Sequence, residues 1–281
     1  MTTHTPSTLE RERRAYRRGR ERRSVLIAIA STLAFAAIVW VTIVNTEGWA
    51  NVQQSFFDPA VAAEALPKVW DGFLLNLQVL AISVFTVGAA ALVLALLRTL
   101  RGPVFFPVRM LAAGYTDLFR GLPFIIVLYL IGFGLPTILN ERINEVVLGV
   151  LAITLTYSAY VAEVIRAGIE SVHPSQRLAA RALGLNHVQT LRRVVLPQAL
   201  RKMTPALMND FISMQKDVGL ISILAAFDAI ARARGVVATT YNFTPYVVAG
   251  ILFVLLAIPT IRLTDWYTAR LREREQTGSI L

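Results

Sequence analysis

Residues Phe73–Leu97 read FLLNLQVLAISVFTVGAAALVLALL, an unbroken run without one charged side chain. Coiled as an α-helix at 1.5 Å per residue, such a run crosses a hydrocarbon layer of about 30 Å with length to spare. Working outward, Val25–Val44 is a second uncharged run, and Pro123–Leu139, Val146–Ala162, Thr204–Phe227 and Thr244–Ile261 are further apolar stretches. Together they predict an all-α membrane protein of about six transmembrane helices. The fifth stretch is the irregular one, because Asp210, Lys216 and Asp217 interrupt it. Composition agrees: 55% of the 281 residues are hydrophobic and 16% charged, against about 45–50% and 25% in soluble domains.

The formal net charge of +10 invites a nucleic-acid partner, but its distribution excludes one. Arg11, Arg13, Arg14, Arg17, Arg18, Arg20, Arg22 and Arg23 precede the first span, and Arg98, Arg101, Arg109 and Arg120 follow the second. Arg166, Arg177, Arg181, Arg192, Arg193, Arg201 and Lys202 lie between the fourth and fifth, and Arg270, Arg272 and Arg274 follow the sixth. The alternate loops are acidic or neutral: Asn45–Gly72 carries Glu47, Asp58, Glu64 and Asp71 against Lys68 alone. This is the positive-inside pattern, and it predicts a multi-pass protein of the plasma membrane with both termini in the cytoplasm. Only Arg232 and Arg234 depart from it. The expected divisions are an Arg-rich, disordered cytoplasmic tail at 1–23, a first span with its extracytoplasmic loop at 24–72, a transmembrane core at 73–266 and a cytoplasmic tail at 267–281. The first apolar run is longer than a signal-peptide core of 7–15 residues and ends without a small-x-small cleavage site, so it reads as a retained helix. With no cysteine, disulfides, thiolate metal sites and cysteine catalysis are excluded.

Two stretches do not read as lipid-facing. Arg98–Leu122 is basic and punctuated by Gly102, Pro103, Pro107 and Gly121. The loop 166–202 is too long to be structureless inside a compact domain. Ser175 is expected to cap a helix through Ala182 that Gly184 ends. Asn186 is expected to cap a second, and Pro197 to sit in the first turn of a third, where its missing N–H costs nothing. The result is a compact helical surface, fit either to dock a partner or to lie on anionic lipid head groups.

Five motifs in order resemble one known family. Gln176-Arg177-Leu178-Ala179-Ala180-Arg181-Ala182-Leu183-Gly184-Leu185, followed by Val194-Val195-Leu196-Pro197, resembles the EAA loop of ABC importer permeases. Phe119-Arg120-Gly121-Leu122-Pro123, Phe133-Gly134-Leu135-Pro136, Tyr160-Val161-Ala162-Glu163-Val164-Ile165-Arg166, and Asn209 with Phe211-Ile212 and Lys216-Asp217 resemble motifs of the permeases for polar amino acids. The similarity runs from about Asp71 to Trp266. It implies the type I (MetI-like) permease architecture, with 166–202 as a cytoplasmic coupling-helix loop. It also implies two ABC ATPase subunits docked at Arg177, Leu178, Ala179, Ala180, Ala182, Leu183, Gly184 and Leu185. A second, identical or homologous permease and an extracytoplasmic solute-binding protein complete the implied assembly, which imports a polar amino acid or another small polar solute. ATP and magnesium would sit on the ATPase, and no cofactor on this chain. Two departures are specific: Leu178 stands where the motif has Glu, and Val218-Gly219 where it has Thr-Ser.

Ionisable groups at mid-membrane cost at least about 2.5–3.5 kcal/mol on insertion scales, so they face a cavity or each other. Lys216 and Asp217 therefore carry two readings, a translocation pathway binding the charged ends of an amino acid or a structural ion pair. Asn209, Asp210 and Gln215 are further candidates for the pathway. Glu163 and Arg166, at i,i+3 spacing, read as a structural pair, Arg120 and Pro123 as structural residues at the start of the third span. His173 and His187 have no partner at metal-ligand spacing, and no metal site is expected. No phosphate-binding Gly-x-x-x-x-Gly-Lys-Ser/Thr and no catalytic constellation occurs, so a non-catalytic subunit that borrows its ATPase is expected. An ATPase-independent secondary transporter is the alternative, for which the internal repeat common in such folds is not evident.

Overall fold

The computed structural model describes residues 8–100 and 102–278, and among them every regular element is helical. Contacts divide the chain into two units, 1–55 and 56–281. In the first, α1 (Thr8–Val44) runs unbroken from the basic tail into the first apolar stretch. The tail was expected to be disordered; from Thr8 onward its backbone is helical, and residues 1–7 lie outside the described part. Arginine and glutamate are good helix formers, and a stable apolar helix downstream removes the cost of nucleating a new one. A short helix, α2 (Trp49–Phe56), follows.

The second unit is built around α3 (Pro59–Thr99), 41 residues long. Asp58 caps it, Oδ1 accepting from the amides of Ala60 and Val61, and a proline occupies its first turn. Its sequence buries Ala65, Val69, Phe73, Asn76, Val79, Leu80, Ser83, Val87, Ala91 and Ala95, spaced three and four apart along one stripe, the period of a helix with one packed face. That stripe meets α7 (Glu145–Glu170), α11 (Ala229–Thr240) and α12 (Thr244–Gly278). Small residues on α7 (Gly149, Ala152, Ala159, Ala162) are buried in the packing, as expected where helices gain from close backbone approach rather than from escape from water. Between them, α4 (Phe106–Gly121) and α5 (Phe124–Tyr129) are separated by Leu122-Pro123. The residue before a proline avoids helical backbone, and Leu122 is extended (φ −93, ψ 134). The chain bends there by 107°. A π-helical turn, Leu130–Gly134, then leads into α6 (Leu135–Leu139).

The loop of 166–202 forms α8 (Pro174–Ala182), α9 (His187–Thr190) and a π-helical turn, Leu191–Val195, that runs directly into α10 (Leu196–Asp217). A 3-10 helix, Val218–Leu224, ends at Ala225, whose left-handed backbone (φ 63) turns the chain toward α11.

Four stretches are long and apolar enough to cross a membrane, Arg23–Val44, Trp49–Thr99, Glu145–Glu170 and Thr244–Leu271, with the bent pair Phe106–Gly121 and Phe124–Leu139 as a possible fifth. The expected span at Thr204–Phe227 is not among them. Helix α10 is long enough, about 33 Å at 1.5 Å per residue, but carries Arg201, Lys202, Asp210, Lys216 and Asp217. It packs between α7 and α12, so protein rather than lipid shelters part of its polar surface. The chain also continues as 3-10 helix and turn over 218–228 rather than as one straight rod.

Candidate functional site

The first candidate surface is the α8–α9 turn. Pro174 opens α8, and the cap is His173, whose Nδ1 accepts from the amide of Ser175 at 3.2 Å. Ser175 was expected in that role; with proline tolerated at the first helical position, the cap moves back two residues. The helix ends as a Schellman turn. The Leu185 amide bonds the Ala180 carbonyl at 3.1 Å, and the Gly184 amide bonds the Arg181 carbonyl at 2.9 Å. Gly184 has φ +82, the left-handed backbone that closes such turns and that glycine adopts without strain. Asn186 and Gln189 then form a reciprocal capping box, at 2.9 and 3.0 Å. Pro197 lies in the first turn of α10.

This turn is held from below by a small core of Val172, Val195 and Ala199, with Ile169 and Leu191 packed on it. Arg177 Nη2 donates to the Ile169 carbonyl at 2.7 Å, and Lys202 Nζ to the Ser171 carbonyl at 2.9 Å. Of the residues expected to dock a partner, Ala180 is buried. Leu178 and Leu183 project, 67% and 82% exposed. A groove of about 290 Å³ opens beside them, its lining including Pro174, Leu178, Arg181, His187 and Leu191. An apolar knob flanked by arginines on a rigid turn is suited to a protein partner (large exposed leucines otherwise carry a solvation cost).

The second candidate is a cavity of about 310 Å³ inside the helical unit, between α5, α7 and α10. Leu122, Pro123 and Phe124 form one wall; Thr156, Tyr157 and Tyr160 come from α7, and Asp210, Ser213 and Asp217 from α10. Asp210, Ser213 and Asp217 share one face because seven residues make nearly two helical turns. Tyr157 Oη donates to Asp217 Oδ2 at 2.7 Å, and Tyr160 Oη to the Arg120 carbonyl at 3.2 Å. Asp210 Oδ2 and Thr156 Oγ1 are shielded from solvent and have no hydrogen-bond partner.

Of the five residues named as pathway candidates, Asp210 and Asp217 line this cavity. Gln215 is buried on another face of α10, where its Nε2 donates to Thr260 Oγ1 on α12 at 3.1 Å. Asn209 and Lys216 are exposed, and no ion pair joins Lys216 to Asp217 among the described residues. Thr156, Tyr157, Tyr160 and Ser213 line it beside the two aspartates, and none of these four was named as a pathway candidate from sequence. The aromatic and hydroxyl residues lie within apolar helices, and their convergence depends on which helices pack together.

One end of α7 carries an ionic cluster. Glu163 Oε2 lies 2.7 Å from Arg98 Nη1 on α3 and 3.9 Å from Arg120 Nη1 on α4. Its Oε1 is 2.5 Å from Arg166 Nη2, and Arg166 Nη1 is 2.5 Å from Glu170. The spacing of Glu163 and Arg166 indicated a pair; Arg98, distant in sequence, was not foreseen. One carboxylate thus ties the ends of three helices.

A buried polar junction, unmarked by any motif, lies elsewhere. Asn76 Nδ2 donates to the Val218 carbonyl (3.0 Å) and to Asp228 Oδ2 (3.1 Å), and its Oδ1 accepts from the Ala229 amide (3.1 Å). Asp228 in turn caps α11 through the Ala231 amide at 2.9 Å.

Comparison with known proteins follows the same lines. Residues 90–273 match the family described as "Binding-protein-dependent transport system inner membrane component". The chain is 31% identical over 194 residues to the "Arginine transport system permease protein ArtQ" of Bacillus subtilis (strain 168), spanning 69% of this chain and 87% of that one. It is 35% identical over 178 residues to the "Probable glutamine ABC transporter permease protein GlnP" of the same organism, spanning 63% and 80%. Among solved structures it resembles the "Crystal structure of an amino acid ABC transporter with histidines", at 30% identity and TM-score 0.70, covering 76% of this chain and 98% of that one.

Proposed function

The chain belongs to the family of binding-protein-dependent transport system inner membrane components, and from that premise we propose that it passes a polar amino acid inward through the cavity between α7 and α10. As a permease of an ABC importer it is an integral membrane subunit working with ATPase partners and a second permease. Two ATPase subunits, identical or homologous permeases and an extracytoplasmic solute-binding protein form the assembly we infer, with both termini in the cytoplasm. The observation that carries the solute assignment is the pair of aspartates, Asp210 and Asp217, lining a cavity within the helical bundle. Carboxylates in such surroundings are costly unless a charged or hydrogen-bonding solute visits them.

The α8 turn is the docking surface in this reading. Leu178, Ala179, Ala182, Leu183 and Leu185 present apolar contact, Arg177 and Arg181 flank it, and Gly184 fixes the exit. ATP and magnesium act on the partner, and this chain contributes alternating access, a two-state change that nucleotide biases through the docked turn. Leu178 in place of an acidic residue calls for an apolar counterpart on the ATPase.

The test is reconstitution of the chain with its ATPase in liposomes, followed by uptake of radiolabelled amino acids with and without internal ATP. ATP-dependent uptake that is lost in Gly184→Arg, while the variant still inserts, supports the proposal. Uptake that proceeds equally without ATP would transfer the chain to the secondary transporters.

A further inference from the structure

Helix α1 changes character within two residues. Arg22 and Arg23 end its basic stretch, and Val25 opens a run of twenty uncharged residues. The backbone stays helical across this boundary, so helical rise alone places the last arginines relative to a hydrocarbon layer. Along the helix axis, at 1.5 Å per residue, Arg23 lies about 3 Å and Arg20 about 7 Å outside Val25. The polar layer on each side of a bilayer's hydrocarbon core is about 5–8 Å thick, and both arginines fall within it. Arg11 and Arg14 lie about 21 and 16 Å out, beyond the Debye length of about 8 Å at physiological salt.

One face of α1 is shaped at this boundary. Tyr16, Arg20, Arg23, Ser24 and Ile27 line a single groove, because spacings of three and four residues place them on one side of the helix. All five are exposed. Tyr16 closes the outer end, and Ile27 opens the groove onto the apolar run. The two arginines stand about one turn apart, and neither has an acidic partner. No Asp or Glu lies three or four places from either, and neither enters an ion pair among the described residues. Like charges at such a spacing on a helix repel, and an anion shared between them reverses that cost. Guanidinium groups grip phosphate oxygens with parallel N–H donors, and the Ser24 hydroxyl stands beside them as a further donor.

We propose that this groove holds the phosphate of an anionic phospholipid, with Arg20 and Arg23 on the phosphate and Ile27 beside the start of an acyl chain. The lipid is preferred to free phosphate because the groove runs onto Ile27, within the stretch whose apolar side chains are sheltered only in hydrocarbon. Zwitterionic headgroups fit poorly: their own ammonium neutralises the phosphate and adds a cation to a stretch, 8–23, of eight arginines against three glutamates. An anionic lipid leaves its charge to the two guanidiniums. In this assignment α1 is a lipid-reading helix set ahead of the family match, which begins at residue 90. It needs only that Val25–Val44 crosses a bilayer, and it stands apart from the solute that the permease carries.

The test titrates phosphatidylglycerol, phosphatidylcholine and inorganic phosphate into the detergent-purified full-length chain, together with the subunits it retains, and counts bound lipid by native mass spectrometry. Phosphatidylglycerol binds more tightly than phosphatidylcholine, and excess inorganic phosphate does not displace it. Arg20→Gln combined with Arg23→Gln weakens phosphatidylglycerol about thirtyfold, five- to sixfold for each arginine near the surface, and leaves phosphatidylcholine unchanged. Arg11→Gln combined with Arg14→Gln removes the same charge beyond the polar layer and leaves phosphatidylglycerol binding nearly unchanged. Arg20→Lys combined with Arg23→Lys keeps the charge but not the planar fork, and its binding falls between the native and glutamine forms. A single elution peak and an unaltered melting temperature show that each variant is folded. Equal binding of the two lipids would overturn the assignment. Equal weakening by the two glutamine pairs would replace it with a diffuse basic attraction, and displacement by inorganic phosphate would replace it with a free-anion site.

Discussion

The Asn76 junction offers the sharpest test of the fold, because three hydrogen bonds leave one side chain for three different partners. Replacing Asn76 by leucine keeps the volume close and deletes all three bonds at once. It strands the Ala229 amide and takes one bond each from the Val218 carbonyl and the Asp228 carboxylate, all in a fully buried place. Each bond lost in so buried a place, one of them to a charged group, costs about 1–3 kcal/mol, so the gross loss is about 3–9 kcal/mol. Burying the leucine side chain returns about 1.5–3 kcal/mol. The net destabilisation is therefore about 2–6 kcal/mol. With a shift of about 2–4 °C per kcal/mol for a domain of this size, the melting temperature should fall by roughly 5–20 °C. Fluorescence-detected size-exclusion melting in one detergent at one heating rate reads this directly. Asn76→Asp should be no better, since it loses the donors and faces Asp228 with a like charge. A melting temperature within about 2 °C of the native chain would refute the claim that this junction holds α3, the 3-10 segment and α11 together.

Three further outcomes follow from particular contacts. A Cβ on Gly72 would lie 2.5 Å from the Asp228 carbonyl oxygen and 2.6 Å from the Ala229 nitrogen; both are backbone, so Gly72→Ala must push α11 off α3 and should lower the melting temperature about as far as Asn76→Leu, the two losses being less than additive in the double variant because they share one junction. At Gly184 a Cβ meets nothing within 4 Å, so Gly184→Ala should cost only the left-handed backbone strain of about 1–2 kcal/mol, seen as faster hydrogen exchange at the Leu185 amide with little change in overall melting. Glu163→Gln keeps the shape but removes the charge shared by Arg98, Arg120 and Arg166; with Arg98 only 17% exposed, a loss of about 2–4 kcal/mol is expected, less than the 3–5 of a fully buried pair, and a double-mutant cycle with Arg98→Gln should recover much of it as coupling.

Sequence made some of this plain and left the rest dark for identifiable reasons. Apolar runs show in one dimension because a bilayer demands about twenty consecutive apolar residues, and α3, α7 and α12 follow the runs that announced them. Local turn chemistry was legible where it is self-contained: Gly184 and the Asn186–Gln189 box involve neighbours in sequence. Long-range pairing was not. Asn76 reads as a lone polar residue in an apolar run, and its partners lie 142 to 153 residues away. Residue type pointed to Lys216 as a pathway candidate beside Asp217, yet adjacent residues on a helix point about 100° apart, and only Asp217 reaches the cavity. The helix face decides what the residue type cannot. Asp210, seven residues before Asp217, satisfies the face criterion and was the better candidate.

The two candidate sites share one helical path, and this constrains how they can communicate. From His187 the backbone stays helical through α9, the π-helical turn Leu191–Val195 and α10 to Asp217. The groove ends on Leu191 and Val195, and the cavity begins at Asp210, about 20 Å further along at 1.5 Å per residue. Pro205 lies between them; it removes one backbone hydrogen bond and makes that point the natural place for α10 to bend. The π turn is the other departure from α geometry on this path, and it is pinned at Val195 by the small core with Val172 and Ala199. A displacement imposed at α8 thus reaches α10 through this core and through Arg177 and Lys202, which grip the end of α7 at Ile169 and Ser171. Helices α7 and α10 are the two that carry Thr156, Tyr157, Tyr160, Asp210 and Asp217. A motion that separates α7 from α10 breaks the Tyr157–Asp217 bond, and a motion that carries the two together moves them against the third wall, Leu122-Pro123-Phe124. The Tyr157–Asp217 distance reports relative movement of α7 and α10, and the distance from either helix to the Leu122–Phe124 wall reports the other way the cavity can open.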